Sequence, residues 1–94
     1  MHFRHDQVTG AGSVTVRCRL FAQYAQLAYT TEVTLELPKP STVADAVAFL
    51  RARIPGGDRL PKRPLAALNL AHVSPSQELH EGDELALLPP VAGG

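Results

Sequence analysis

Between positions 41 and 55 the chain reads Ser41-Thr-Val-Ala-Asp-Ala-Val-Ala-Phe-Leu-Arg-Ala-Arg-Ile-Pro55. Val43, Ala46, Val47 and Leu50 recur at i, i+3, i+4 and i+7, the spacing of one apolar stripe on a helix. Thr42 is placed to cap the first turn. Asp45, three residues on, completes a capping box with Asp in place of the usual Glu. Pro55 disfavours helical angles at Ile54, and Gly56-Gly57 follow, so the helix is expected to end near Arg53. Burial of Val43, Val47 and Leu50 contributes roughly 1.5–3 kcal/mol each. A helix with a single stripe must be covered by another layer, so its flanks decide the fold.

Upstream, Val14 to Phe21 reads as a strand, with Val14, Val16, Cys18 and Leu20 on one face and Thr15, Arg17 and Arg19 on the other. Cys18 is then a small buried hydrophobe rather than a redox or nucleophilic group. Phe21 ends the strand on the polar face, where it covers a core edge or meets a partner. Ala22 to Ala28 are helix formers, enough for one or two turns. Tyr29 to Leu37 returns as a second strand with Val33, Leu35 and Leu37 inward, and Pro38 to Pro40 breaks it.

Downstream, Pro55 to Pro64 is a loop carrying Arg59, Lys62 and Arg63, just after Arg51 and Arg53. These cations suit a solvated helix end and its dipole; a contact with an acidic partner is the alternative. Leu65 to Leu70 reads as a short apolar strand, Ala71 to Leu79 as a turn-rich connection, Glu81-Gly82-Asp83 as a tight turn, and Glu84 to Leu88 as the last strand. With Leu85 and Leu87 in the core, Leu88 is left on the outer face, either a lone surface leucine or a partner anchor.

The order strand, strand, helix, strand, strand predicts an α+β fold. A mixed sheet is packed by one main helix in a β-grasp arrangement, with the first and last strands adjacent at its centre. Residues 1–13 read as a flexible extension, with His2 and His5 in solvent; 14–88 form the domain; 89–94 form an extended tail.

Composition narrows the function. Ninety-four residues suit one domain, and 45% apolar content without Trp makes a core of Leu, Val and Ala. Zero formal net charge argues against a nucleic-acid partner. One cysteine excludes an intrachain disulfide and a cysteine-based zinc site. No apolar run is long enough to span a bilayer, and the first residues lack the apolar middle of a secretory signal; a cytoplasmic location without a membrane partner is expected. There is no phosphate loop, no paired cysteines and no metalloprotease motif. His72 and His80 lie near the last strands without forming an evident catalytic pair. The weight falls on the terminus, Leu87-Leu-Pro-Pro-Val-Ala-Gly-Gly94. Pro89 and Pro90 fix φ and offer no N–H to a sheet, and Gly93 and Gly94 need almost no width. The reading is a free carboxylate on a thin, stiff stalk.

The stretch Leu65-Ala-Ala-Leu-Asn69 through His80-Glu-Gly-Asp-Glu-Leu-Ala-Leu-Leu-Pro-Pro-Val-Ala-Gly-Gly94 resembles the sulfur-carrier small subunit of molybdopterin synthase, a ubiquitin-like β-grasp family. Leu20-Phe21-Ala22 and the Thr42–Leu50 helix are similar too, while residues 1–13 lie outside the pattern. The resemblance implies that Gly94 is adenylated by an E1-like adenylyltransferase using ATP. A sulfur donor protein then converts it to a thiocarboxylate. Pro89, Pro90, Val91, Ala92 and Gly93 carry it into the large synthase subunit, with Leu88, Phe21 and His72 at the interface. There it donates sulfur to cyclic pyranopterin monophosphate to form molybdopterin, in molybdenum cofactor biosynthesis. It also implies a heterotetramer, no stably bound cofactor or metal, and a catalytic pocket on the large subunit. The alternatives are a sulfur carrier for thiamine, cysteine or tRNA thiolation, a ubiquitin-like protein modifier, and a non-catalytic β-grasp interaction module.

Overall fold

Residues 1–4 and 12–90 are described by the structure, a computed structural model. In chain order the elements are β1 (His2–Arg4), β2 (Ser13–Leu20), α1 (Gln23–Ala28), β3 (Glu32–Pro38), α2 (Val43–Arg53), a short 3-10 helix (Gly57–Arg59), β4 (Leu65–Leu68), β5 (Ala71–Val73) and β6 (Glu84–Leu88). The strands form one mixed sheet in the order β1-β3-β2-β6-β4-β5.

Alternation along β2 sends Val14, Val16, Cys18 and Leu20 inward, each no more than 2% exposed. Register with β3 sets Val14 beside Leu37, Val16 beside Leu35 and Cys18 beside Val33, so matched apolar rows face the helix. α2 answers with Val43, Ala46, Val47 and Leu50, joined by Phe49 at the edge of the stripe. The capping box forms as expected: the Thr42 hydroxyl accepts from the Asp45 backbone N–H at 3.2 Å, and the Asp45 carboxylate accepts from the Thr42 N–H at 2.8 Å. Ile54 is extended, so the helix stops at Arg53. This is the β-grasp architecture, with β2 and β6 parallel at its middle.

The loop after α2 is tied down more closely than a solvated end would be. Arg51 donates from Nε to the Leu60 carbonyl at 2.8 Å and from Nη2 to the Asp58 carbonyl at 3.3 Å. Arg53 lies over the Phe49 ring at 5.4 Å. Arg59, Lys62 and Arg63 are exposed. Two glycines permit the tight path. A Cβ on Gly56, at φ +70, would sit 2.6 Å from the Leu27 carbonyl oxygen, and one on Gly57 would collide with the Leu50 carbonyl.

Three expectations change. The segment expected to be a flexible extension begins with β1, which pairs in parallel with β3. Phe3 packs against the core, while His2 and Arg4 converge on the Glu36 carboxylate at 3.6 and 3.7 Å. A single inward residue between two polar ones is too short an alternation to register as a strand; the remainder of that segment, 5–11, lies outside the described residues. Tyr29 does not open the second strand, because it takes left-handed angles (φ 57) as the C-cap of α1. The turn-rich connection contains β5, which folds back on β4 through Asn69 and Leu70, both at positive φ.

Candidate functional site

The Glu81-Gly82-Asp83 turn builds the end of the molecule from which β6 starts. Gly82 takes φ +82 and donates its N–H to the Thr15 carbonyl at 2.9 Å. Glu81 accepts from the Thr15 N–H at 2.9 Å, and the Asp83 carbonyl accepts from the Arg17 N–H at 3.0 Å. The Asp83 carboxylate accepts from the His80 backbone N–H at 2.7 Å and from the Asn69 side-chain amide at 2.9 Å. Asn69 in turn accepts from the Glu84 N–H at 3.0 Å. The turn is thus a latch. It holds β6 against β2 on one side and the β4–β5 hairpin on the other, and it fixes which residues of β6 face out.

Leu85 and Leu87 are fully buried, which puts Glu84, Ala86 and Leu88 on the outer face. Register carries that face across the sheet. Leu88 pairs with Leu65, Ala86 with both Ala67 and Arg19, and Ala67 with His72. Phe21 follows Leu20, whose partner is Leu87, and therefore stands at the same end as Leu88. Phe21 is 40% and Leu65 51% exposed, whereas Leu88 is half-buried. Together they make an apolar patch at the C-terminal end of β6, where the half-buried Pro89 and exposed Pro90 follow. Val91, Ala92, Gly93 and Gly94 lie outside the described residues.

The candidates Phe21, Leu88 and His72 therefore share one face of the sheet. Sequence reasoning missed two residues beside them. Leu65 is an outward residue of a strand that reads as uniformly apolar. Arg19 holds its guanidinium 5.9 Å above the Phe21 ring. Leu65 is placed by pairing between strands remote in sequence, which alternation along one strand does not reveal; Arg19 shares the face of Phe21 by alternation, and its contact with the ring is what the sequence does not show.

Cys18 is fully buried, and burial pushes its thiol up to about 12. His80 stands 3.7 Å from Glu78 and 3.9 Å from Asp83, as part of the latch. Among the described residues no group of three or more His, Cys, Asp or Glu side chains is arranged to hold a metal ion. No helix among them is long and apolar enough to cross a membrane.

Comparison with known proteins agrees with this geometry. The ThiS family model matches residues 18–94, through the final glycine. A molybdopterin synthase sulfur carrier subunit from Chlamydomonas reinhardtii is 33% identical over 81 residues, covering 84% of this chain and 98% of that one. The crystal structure of H. volcanii small archaeal modifier protein 1 superposes with a TM-score of 0.75 at 27% identity, covering 83% of this chain and 99% of that one. A complex of subunits 1 and 2 of molybdopterin-converting factor from Helicobacter pylori contains the same fold, with a TM-score of 0.61 at 24% identity, covering 86% of this chain and all of that one. With its central parallel strand pair, its latch before β6 and a match that reaches Gly94, the chain belongs to the ThiS family of ubiquitin-like β-grasp proteins.

Proposed function

We propose that this protein is the sulfur carrier subunit of molybdopterin synthase and that its reactive group is the carboxyl of Gly94. The observation that carries the reading is the family match over residues 18–94 together with the likeness to molybdopterin synthase sulfur carrier subunits. A central strand leads toward that terminus, and among the described residues no cluster of His, Cys, Asp or Glu is arranged to hold a metal ion. A carboxylate is a poor electrophile, so it must first be activated. Attack of the Gly94 carboxylate on the α-phosphate of ATP, on an E1-like enzyme, forms an acyl adenylate and releases pyrophosphate. The terminal sulfur of a donor persulfide displaces AMP. Reduction of the remaining S–S bond by a thiol leaves the thiocarboxylate.

The tail then enters the large subunit and delivers sulfur to cyclic pyranopterin monophosphate. Acid–base groups are supplied by that subunit, and the carrier works in the cytoplasm, where these partners meet. The carrier contributes a narrow stalk and a docking face of Phe21, Leu65 and Leu88 with His72 alongside. Pro89 and Pro90 restrict the free tail beforehand. That reduces an ordering cost of about 1–2 kcal/mol of backbone entropy per residue.

Intact mass spectrometry after incubation with ATP, an E1-like enzyme and a sulfur donor tests this. The expected product has one oxygen replaced by sulfur, and the loaded carrier converts the pterin precursor when the large subunit is added. An unchanged mass with an enzyme competent on another carrier overturns the reading. The likeness to the H. volcanii modifier favours a second reading, in which activated Gly94 is joined to lysines of other proteins; conjugates in the same assay would establish it.

A further inference from the structure

The outer face of β2 carries two arginines in different circumstances. Arg17 is paired, its Nη2 lying 3.3 Å from a Glu84 carboxylate oxygen on β6. Arg19 has Glu32 as its register neighbour on β3 and Ala86 on β6. It forms no ion pair among the described residues. Its guanidinium lies instead over the Phe21 ring, 5.9 Å from the centroid. Side chain and ring are both exposed, at the edge of the patch formed by Phe21, Leu65 and Leu88.

A cation–π contact at this distance, near the outer limit of about 6 Å, leaves the N–H donors of the guanidinium available to an acceptor on another molecule. It also removes part of the rotamer freedom that a free arginine would lose on binding. Any protein that covers Phe21 also takes water from Arg19. A guanidinium desolvated without an acceptor opposes binding strongly, whereas one that meets a planar carboxylate gains two parallel hydrogen bonds. The surface that fits this face is therefore apolar at its centre, with an acidic group placed opposite Arg19. A charged rim around an apolar centre is the usual anatomy of a specific interface.

We infer that Arg19 is a specificity-determining residue of the docking face, taking an Asp or Glu carboxylate of the partner subunit while held over Phe21. The inference rests on the reading of this face as the one that meets the large subunit. Arg19 selects for partners that carry the acid and against those that present an apolar or basic residue there.

The test measures association of the full chain with its large subunit, by kinetics and at equilibrium, for wild type, Arg19→Lys, Arg19→Gln, Arg19→Glu and Phe21→Ser. Thermal melting of each variant checks the fold. Arg19→Gln is expected to weaken binding about tenfold and Arg19→Glu more, with slower association at low salt. Arg19→Lys recovers part of the loss, since it restores charge but not the bidentate fork. At about 1 M salt, where screening acts within about 3 Å, the gap between wild type and Arg19→Gln narrows. Wild-type affinity in Arg19→Gln and Arg19→Glu, with binding lost in Phe21→Ser, overturns the role of Arg19 and leaves the docking face standing. Wild-type affinity in Phe21→Ser as well, or no binding by the wild type, overturns both.

Discussion

Cys18 is a nucleophile by residue type and a core hydrophobe by position. It sits at the middle of β2, wholly buried beside Val33 and Leu85. Burial disfavours the thiolate and raises its pKa from an ordinary 9.0 to about 12. The sign of the linkage follows. The unfolded chain releases the thiol proton above 9.0, while the folded chain holds it until about 12. Stability contributed by this group is therefore complete below pH 9.0 and falls as pH rises through that window. The limiting slope is about 1.4 kcal/mol per pH unit for one proton. Urea denaturation between pH 8 and about 10.5 should show this extra loss in wild type and not in Cys18→Val. Parallel curves for the two proteins would mean that the thiol ionises in place.

At the scale of elements, α2 organises the chain, and its N-terminus can be tested directly. Thr42 and Asp45 exchange hydrogen bonds at 3.2 and 2.8 Å, satisfying two N–H groups that the helix itself leaves open. Thr42→Ala should cost about 1 kcal/mol, seen as a lower urea midpoint at unchanged slope. A loss below a few tenths would place the cap's role in water. This element was legible because stripe, cap and stop all lie within fifteen consecutive positions. Other elements were not. β1 has one inward residue, Phe3, and takes its place from Leu35, far along the chain. β5 depends on a two-residue turn in which Leu70 occupies a position that usually takes glycine, at φ 73. Asn69 is the one conventional turn signal there. The docking face divides in the same way. Phe21, Arg19 and Leu88 take their faces from alternation along their own strands, whereas Leu65 joins Leu88 only through the register of β4 with β6.

In the whole molecule, the proposed reactive end and the proposed docking face belong to different parts of one chain and should fail separately. The domain has its own closed core, and the hydrogen bonds that set β6 lie at the start of that strand, around Asp83 and Asn69. The bonds described for that latch join Thr15, Arg17 and Asn69 to residues 80–84. Deleting Gly94 should therefore leave the melting temperature and association with the large subunit near wild type. Sulfur loading should fall below detection, because the penultimate carboxyl no longer reaches the position at which adenylation occurs. Leu88→Glu should do the reverse. The side chain is half-buried against Leu65 on the outer face, so the fold tolerates a carboxylate there. A partner that buries the patch must instead desolvate a charge, and affinity should fall at least about tenfold. The two variants together are decisive where either alone is not. Loading retained after deletion of Gly94 would remove the terminal carboxyl from the mechanism. Unchanged affinity in Leu88→Glu would move the interface off this face. If both variants lost loading and affinity in parallel, tail and sheet would have to act as one cooperative unit, and the separation drawn from the latch at Asp83 would be wrong.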